Sequence, residues 1–347
     1  MICTTDLIIH GNRDSDVGSF VGHAAYDRAV PFDAHTPSDT LTSVKGLLFL
    51  SNANHNYFNR IWQLFPDGTQ PMSRGVVYQA DQQLSANDQY AALKTWLAAI
   101  AQPTLLNHPE ALPVLREKPL LAAILPSAVH TDSGRALTLG FNSQFQDRFR
   151  LLIDHYEEDS AVATTSPLPI GVTGGNEALA LTIQELLFTS ETRPFFVEQT
   201  HGLSAVWGSS GTRTYRVFFS SSPPLTTSGA KPLTDVALRI GFTPEETQNP
   251  VNVNQDFTLE VRDRAGASSA FTASALFGAV PVLPYPNDLS SGERTFRPFP
   301  VVMQTVRFPL ALFAERGVAI QSIADIRLRF DRTAAGSAYI DDIQLTR

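Results

Sequence analysis

The run Asp256-Phe257-Thr258-Leu259-Glu260-Val261-Arg262 alternates apolar and polar side chains from Phe257 onward. A second run, Ile326-Arg327-Leu328-Arg329-Phe330-Asp331, does the same. A period of two puts Phe257, Leu259 and Val261 on one side of a pleated strand, and Thr258, Glu260 and Arg262 on the other. Such strands keep one face in a core and one in water, the pattern of an antiparallel sheet. Working outward, comparable runs predict strands at 149–155, 179–187, 203–207, 214–219, 235–241, 256–262, 270–276, 304–308, 323–330 and 338–345. About ten strands joined by Gly, Pro, Ser and Asn turns predict an all-β, two-sheet sandwich of jelly-roll type over 149–347.

The first hundred residues have a different texture. Leu7–His10 reads as a short buried strand, 18–30 as a helical stretch, and Gly46–Ser51 as a second buried strand. Leu84, Tyr90, Leu93, Trp96, Leu97 and Ile100 are spaced three and four apart, which predicts an amphipathic helix over 81–101 that Pro103 ends. Strand, helix, strand, helix predicts part of an α/β layer with parallel strands over 1–102. A buried strand so near Met1 needs neighbours on both sides, so the chain is expected to begin inside a domain. Pro103, Pro109, Pro113, Pro119 and Pro126 then punctuate a linker or transition over 103–148, with a short strand at 136–141.

Composition narrows the function. With 43% hydrophobic and 17% charged residues in 347, the chain is globular rather than disordered, and its length suits about two domains. No apolar run is long enough for a membrane span. The net charge of −8 argues against a generic nucleic-acid binder. One cysteine, Cys3, excludes an internal disulfide framework and a thiolate zinc site. The eight histidines include no His-x-x-x-His pair. Met1–Asp6 lacks the basic and apolar regions of a signal peptide. Arginine outnumbers lysine 22 to 4, which reads as a coding bias rather than an anion site.

Two short motifs follow the two early strands. Gly11-Asn12-Arg13-Asp14-Ser15-Asp16 follows the first, and Asn54-His55-Asn56-Tyr57-Phe58-Asn59 follows the second. Asp14 or Asp16 can cap a helix or orient a histidine. His55 can be a loop residue or a general base. Acid before histidine is the order at the end of an α/β-hydrolase triad. These motifs, with Ala25-Tyr26-Asp27-Arg28, resemble the C-terminal part of secreted bacterial α/β-hydrolases of the chlorophyllase/lipase-like group. The resemblance covers about residues 6–102 and implies His55 as base and Asp14 as acid, with Asp16 the runner-up. It also implies an ester or acyl substrate and an extracellular location. The family's Gly-x-Ser-x-Gly nucleophile elbow is missing; the nearest string, Gly208-Ser209-Ser210-Gly211, is one residue short.

The second half carries its own resemblance. Leu151-Leu152-Ile153-Asp154-His155-Tyr156 looks like the opening strand of galactose-binding-like or carbohydrate-binding jelly rolls. Thr305–Leu310, Ala324–Asp331 and Ala338–Leu345 look like their closing strands. Adjacent strand residues face opposite sides, so one carboxylate of Asp341-Asp342 is expected to point inward and to need a partner. Asp154, Glu157, Asp341 and Asp342 are candidate ligands of a structural Ca²⁺; backbone N–H bonds at an exposed rim are the alternative. No other cofactor is implied. Trp207, Tyr215, Phe218 and Phe219 are read as core, with a sugar-stacking platform as the alternative, and Trp62 is divided between a substrate cleft and helix packing. Two functions therefore stand: the acid–His part of a Ser hydrolase whose nucleophile is absent from this chain, inactive alone, and a non-catalytic β-sandwich that binds a carbohydrate or a partner.

Overall fold

The structure, a computed structural model, describes residues 6–11, 25–26, 29, 43–58, 84–129, 131–132, 135–136, 139–145, 150–154, 156, 170–173, 179–185, 201–208, 213–225, 232–242, 249, 254–277, 280–281 and 303–347. The chain divides into two compact units, whose described residues lie within 6–144 and 145–347.

In the first unit, β1 (Asp6–Gly11) and β2 (Val44–Leu50) pair in parallel, with Gly11 level with Leu50. Two short strands, β3 (Thr131–Asp132) and β4 (Arg135–Ala136), pair with each other. β5 (Leu139–Phe145) completes a sheet of order β1-β2-β5. The amphipathic helix spans Ala86–Thr104. Ser85 caps it, its Oγ accepting from the Asp88 N–H at 3.1 Å, while Asp88 adds a carboxylate to the first turn. Pro103 falls in the last turn, where a missing N–H costs little, so the helix runs one residue past it. Trp96 seats the helix: its indole donates to the Ile8 carbonyl at 3.3 Å and meets the Phe141 ring edge-on at 5.7 Å. A side chain at Gly46 would sit 2.7 Å from the Trp96 ring, so β2 needs a glycine there. Pro109 and Pro119 stand in the first turns of a 3-10 segment (Pro109–Leu115) and a helix (Lys118–Ile124), where proline is preorganised.

The second unit is an antiparallel β-sandwich. Its strands are β6 (Arg150–Asp154), β7 (Ile170–Thr173), β8 (Leu179–Glu185), β9 (His201–Trp207), β10 (Thr214–Phe219) and β11 (Asp235–Gly241). They continue with β12 (Asn254–Gln255), β13 (Thr258–Asp263), β14 (Ser268–Thr272), β15 (Val280–Pro281), β16 (Gln304–Pro309), β17 (Ile323–Arg329) and β18 (Gly336–Thr346). One sheet has the order β14-β13-β17-β10-β7. The other has the order β16-β11-β18-β9-β8, with β6 also paired to β18. β12 and β15 form a small pair of their own. The chain passes from sheet to sheet at β10, β11, β13, β16, β17 and β18, so neighbouring strands are remote in sequence, as in a jelly roll.

The inward half of the alternation forms one core. Tyr215 and Val217 of β10, Leu259 and Val261 of β13, and Ile326 and Leu328 of β17 join Leu238, Val306, Phe308 and Ile340 of the other sheet. Trp207 stacks on Phe330 at 4.6 Å. A side chain at Gly336 would lie 2.1 Å from the Trp207 ring, so close packing at that end of β18 depends on glycine. One expected strand is corrected. β14 stops at Thr272 and Ala273–Phe277 is a short helix rather than the end of a strand over 270–276. The Asp256 carboxylate accepts from the N–H and hydroxyl of Ser274 at 2.9 and 2.6 Å, and Ala273 and Phe277, four apart, are both buried.

Candidate binding face

The outward half of the same alternation builds a polar face on the five-stranded sheet. Strand pairing sets Arg216 beside Arg327, and Arg327 beside Glu260. In the adjoining row Phe218 stands beside Asp325, and Asp325 beside Arg262. The side chains are tied in a ladder. Asp325 accepts from Arg216 at 2.7 Å and from Arg327 at 2.6 Å. Glu260 accepts from Arg327 at 3.4 Å and from Arg329 at 3.1 Å. Asp331 accepts from Arg329 at 2.6 Å and from the Thr258 hydroxyl at 2.8 Å.

The ladder has a covered and an open layer. The Asp325 side chain is 2% exposed and that of Glu260 11%, whereas those of Arg216 and Arg329 are each 40% exposed. The Arg216 guanidinium also lies 5.6 Å from the Phe218 ring. Opposite Phe218 on β7 is Gly171, which leaves that flank without a side chain. Pinned guanidiniums beside one partly exposed aromatic make a preorganised hydrogen-bonding surface, since their rotamers are set before any ligand arrives. These arginines were legible in the sequence only as the solvent half of a period of two.

The six-stranded sheet corrects the expectation for Asp341-Asp342. Both carboxylates point to the outer side, and neither points into the core. Asp342 has φ +48°, and the pairing of β18 with β11 shifts register there. This bulge inserts one residue, so Ile340, Ile343 and Leu345 all stay in the core. Arg239 of β11 is the partner, donating to Asp341 at 2.8 Å and to Asp342 at 3.4 Å. All three side chains are buried, with Arg239 only 3% exposed.

Asp154 lies elsewhere, at the end of β6. It accepts from the Tyr156 N–H at 3.0 Å, with Tyr156 held at φ +55°. The Tyr156 hydroxyl donates to that of Tyr215 at 2.9 Å. Burial first, then the charge of Asp154, raises the Tyr215 phenol well above its ordinary value of 10.0. Burial also raises Tyr156, reinforced by Tyr215 and Asp154. Glu157 lies outside the described residues. Among the described residues no group of three or more His, Cys, Asp or Glu is arranged to hold a metal ion.

Of the aromatic candidates, Trp207, Tyr215 and Phe219 are core, and Phe218 alone is on the outer face. Trp62, Asp14 and Asp16 lie outside the described residues. His55 is half-buried, just beyond β2. Its loop is anchored from both sides. The Asn54 N–H donates to Gln89 Oε1 at 3.1 Å, and the Tyr57 N–H donates to Asn54 Oδ1 at 3.0 Å. No helix among the described residues is long and apolar enough to cross a membrane.

No family model and no curated protein matches the chain. Solved structures do align to part of it. A family 11 carbohydrate-binding module from Clostridium thermocellum, in complex with a β-1,3-1,4-mixed-linked tetrasaccharide, is 10% identical. The alignment covers 57% of this chain and 95% of that one, with a TM-score of 0.31. A family 30 carbohydrate-binding module of a cellulosomal cellulase of the same organism is 13% identical over 53% of this chain and 94% of that one, TM-score 0.32. A β-1,2-glucanase from Parabacteroides distasonis is 11% identical over 57% of this chain and 25% of that one, TM-score 0.31. The sandwich assignment rests on the strand pairing described above.

Proposed function

We propose that this chain is a non-catalytic, extracellular carbohydrate-binding protein whose ligand lies on the outer face of the five-stranded sheet. One observation carries the reading: the half-exposed Arg216 and Arg329 are locked by the nearly covered Asp325 and Glu260, beside Phe218. Planar guanidiniums in fixed positions suit ligand oxygens, and an aromatic flank suits a sugar ring. The test is retention of the full chain on a panel of immobilised polysaccharides. Specific retention that falls in Phe218→Ala and Arg216→Gln supports the reading. Failure to bind any member of the panel overturns it.

A second reading attaches to the first unit. The parallel register of β1 and β2 ends both strands at one level, with Gly11 beside Leu50. Asp14 and His55 follow those ends by a few residues, which fits the acid and base of a hydrolase triad. An ester-hydrolysis assay on the native gene product tests it. Activity abolished by His55→Ala would support a hydrolase, and unchanged activity would remove His55 from the reaction.

A further inference from the structure

We infer that the ligand of this face is an anionic glycan, with carboxylate or sulfate groups along its chain; this rests on the carbohydrate-binding reading above. Four guanidiniums, of Arg216, Arg262, Arg327 and Arg329, share the outer side of β10, β13 and β17 with three carboxylates, of Glu260, Asp325 and Asp331. Each carboxylate is already engaged twice. Asp325 holds Arg216 and Arg327, Glu260 holds Arg327 and Arg329, and Asp331 holds Arg329 and Thr258. Asp325 and Glu260 are also the covered members, while Arg216 and Arg329 are the open ones. The face therefore presents N–H donors to solvent and withholds most of its acceptors.

A guanidinium has five donors and no acceptor. Its complement is a group that only accepts, and the planar fork matches carboxylate or sulfate oxygens best. A neutral sugar hydroxyl must donate as well as accept, and two of the three carboxylates here are nearly covered. The rest of the chain sharpens the point. With a net charge of −8, the molecule as a whole repels a polyanion. Retention on one would have to come from a local surplus of positive charge, and this face has one.

The experiment is affinity electrophoresis of the full chain in gels containing polygalacturonate, a neutral β-glucan or no glycan. Retardation is expected in polygalacturonate alone, weakening as salt is added. Arg216→Gln/Arg329→Gln should weaken it roughly tenfold, the size of one lost charge-assisted contact. Arg216→Lys/Arg329→Lys keeps the charge and removes the fork, and should fall between the two. A thermal melt of each variant shows that it is folded. Retardation by the neutral glucan alone overturns the anionic ligand and leaves the carbohydrate-binding reading standing. Retardation by neither glycan overturns both. Undiminished retardation of both double variants in polygalacturonate removes this face from binding.

Discussion

The two sheets of the sandwich carry the same chemistry on their outer sides and use it differently. On the six-stranded sheet Arg239 is clamped between Asp341 and Asp342, all three out of water. On the five-stranded sheet Arg216, Arg327 and Arg329 alternate with Asp325 and Glu260, and the outermost guanidiniums reach solvent. Burial strengthens each ion pair and raises the desolvation cost of its ions, so the covered triad is a structural joint. Exposure weakens each pair and leaves donors accessible, so the open ladder is suited to binding. The residue types are shared, and the solvent decides the role.

The comparison is broken most directly by deleting one arginine from each side. Arg239→Met should cost about 3–5 kcal/mol in urea unfolding, because two buried carboxylates lose their partner. A cost below about 1 kcal/mol would mean the triad behaves like a surface pair. Next in size is Gly336→Ala. The added methyl would overlap the Trp207 ring, and strain of this kind costs about 1–3 kcal/mol in the same measurement. Arg216→Gln should cost less than about 1 kcal/mol, since its pair with Asp325 is screened by water. A loss as large as that of Arg239→Met would make the open ladder structural too.

The smallest effect concerns acid. Asp263, at the end of β13, accepts from the Ala319 and Ala267 N–H groups, each at 2.9 Å. The bond from Ala319, followed by those from the turn 265–267, holds its carboxyl below its ordinary value of 3.8. A depressed folded-state value stabilises the fold above the unfolded value, and that stability is lost as pH falls through the folded value. Asp263→Asn should therefore be less stable than the parent near neutral pH and converge with it below about pH 3.8, as read by thermal melts across pH. Parallel pH curves would show that the carboxylate charge is not what holds the turn.

Much of the sandwich was legible in advance. Thr214–Phe219 and Asp235–Gly241 are strands with the bounds read from their alternation. Other strands shift by a residue or two at their ends, where pairing rather than pattern sets the limit. The Asp341-Asp342 pair was misread because a bulge adds a residue without disturbing the apolar pattern on either side of it. The helix Ala273–Phe277 was misread because its start depends on Asp256, on the far side of a hairpin.

The candidate face was the least legible part. Arg216 meets Asp325 across 109 positions of chain, and Glu260 meets Arg327 across 67. The 22 arginines looked like compositional bias, and only their convergence gives four of them a common task.

What the sequence by itself determined is which side of each strand enters the core. Side chains alternate strictly along a strand, and burial of Leu259, Val261, Ile326 and Leu328 needs nothing more than that period. What only the tertiary structure decided is which polar residues become neighbours, and whether water reaches them. The ladder of backbone hydrogen bonds joins segments far apart in the chain. No local pattern records that register, so Arg239 became a buried joint and Arg216 an open one.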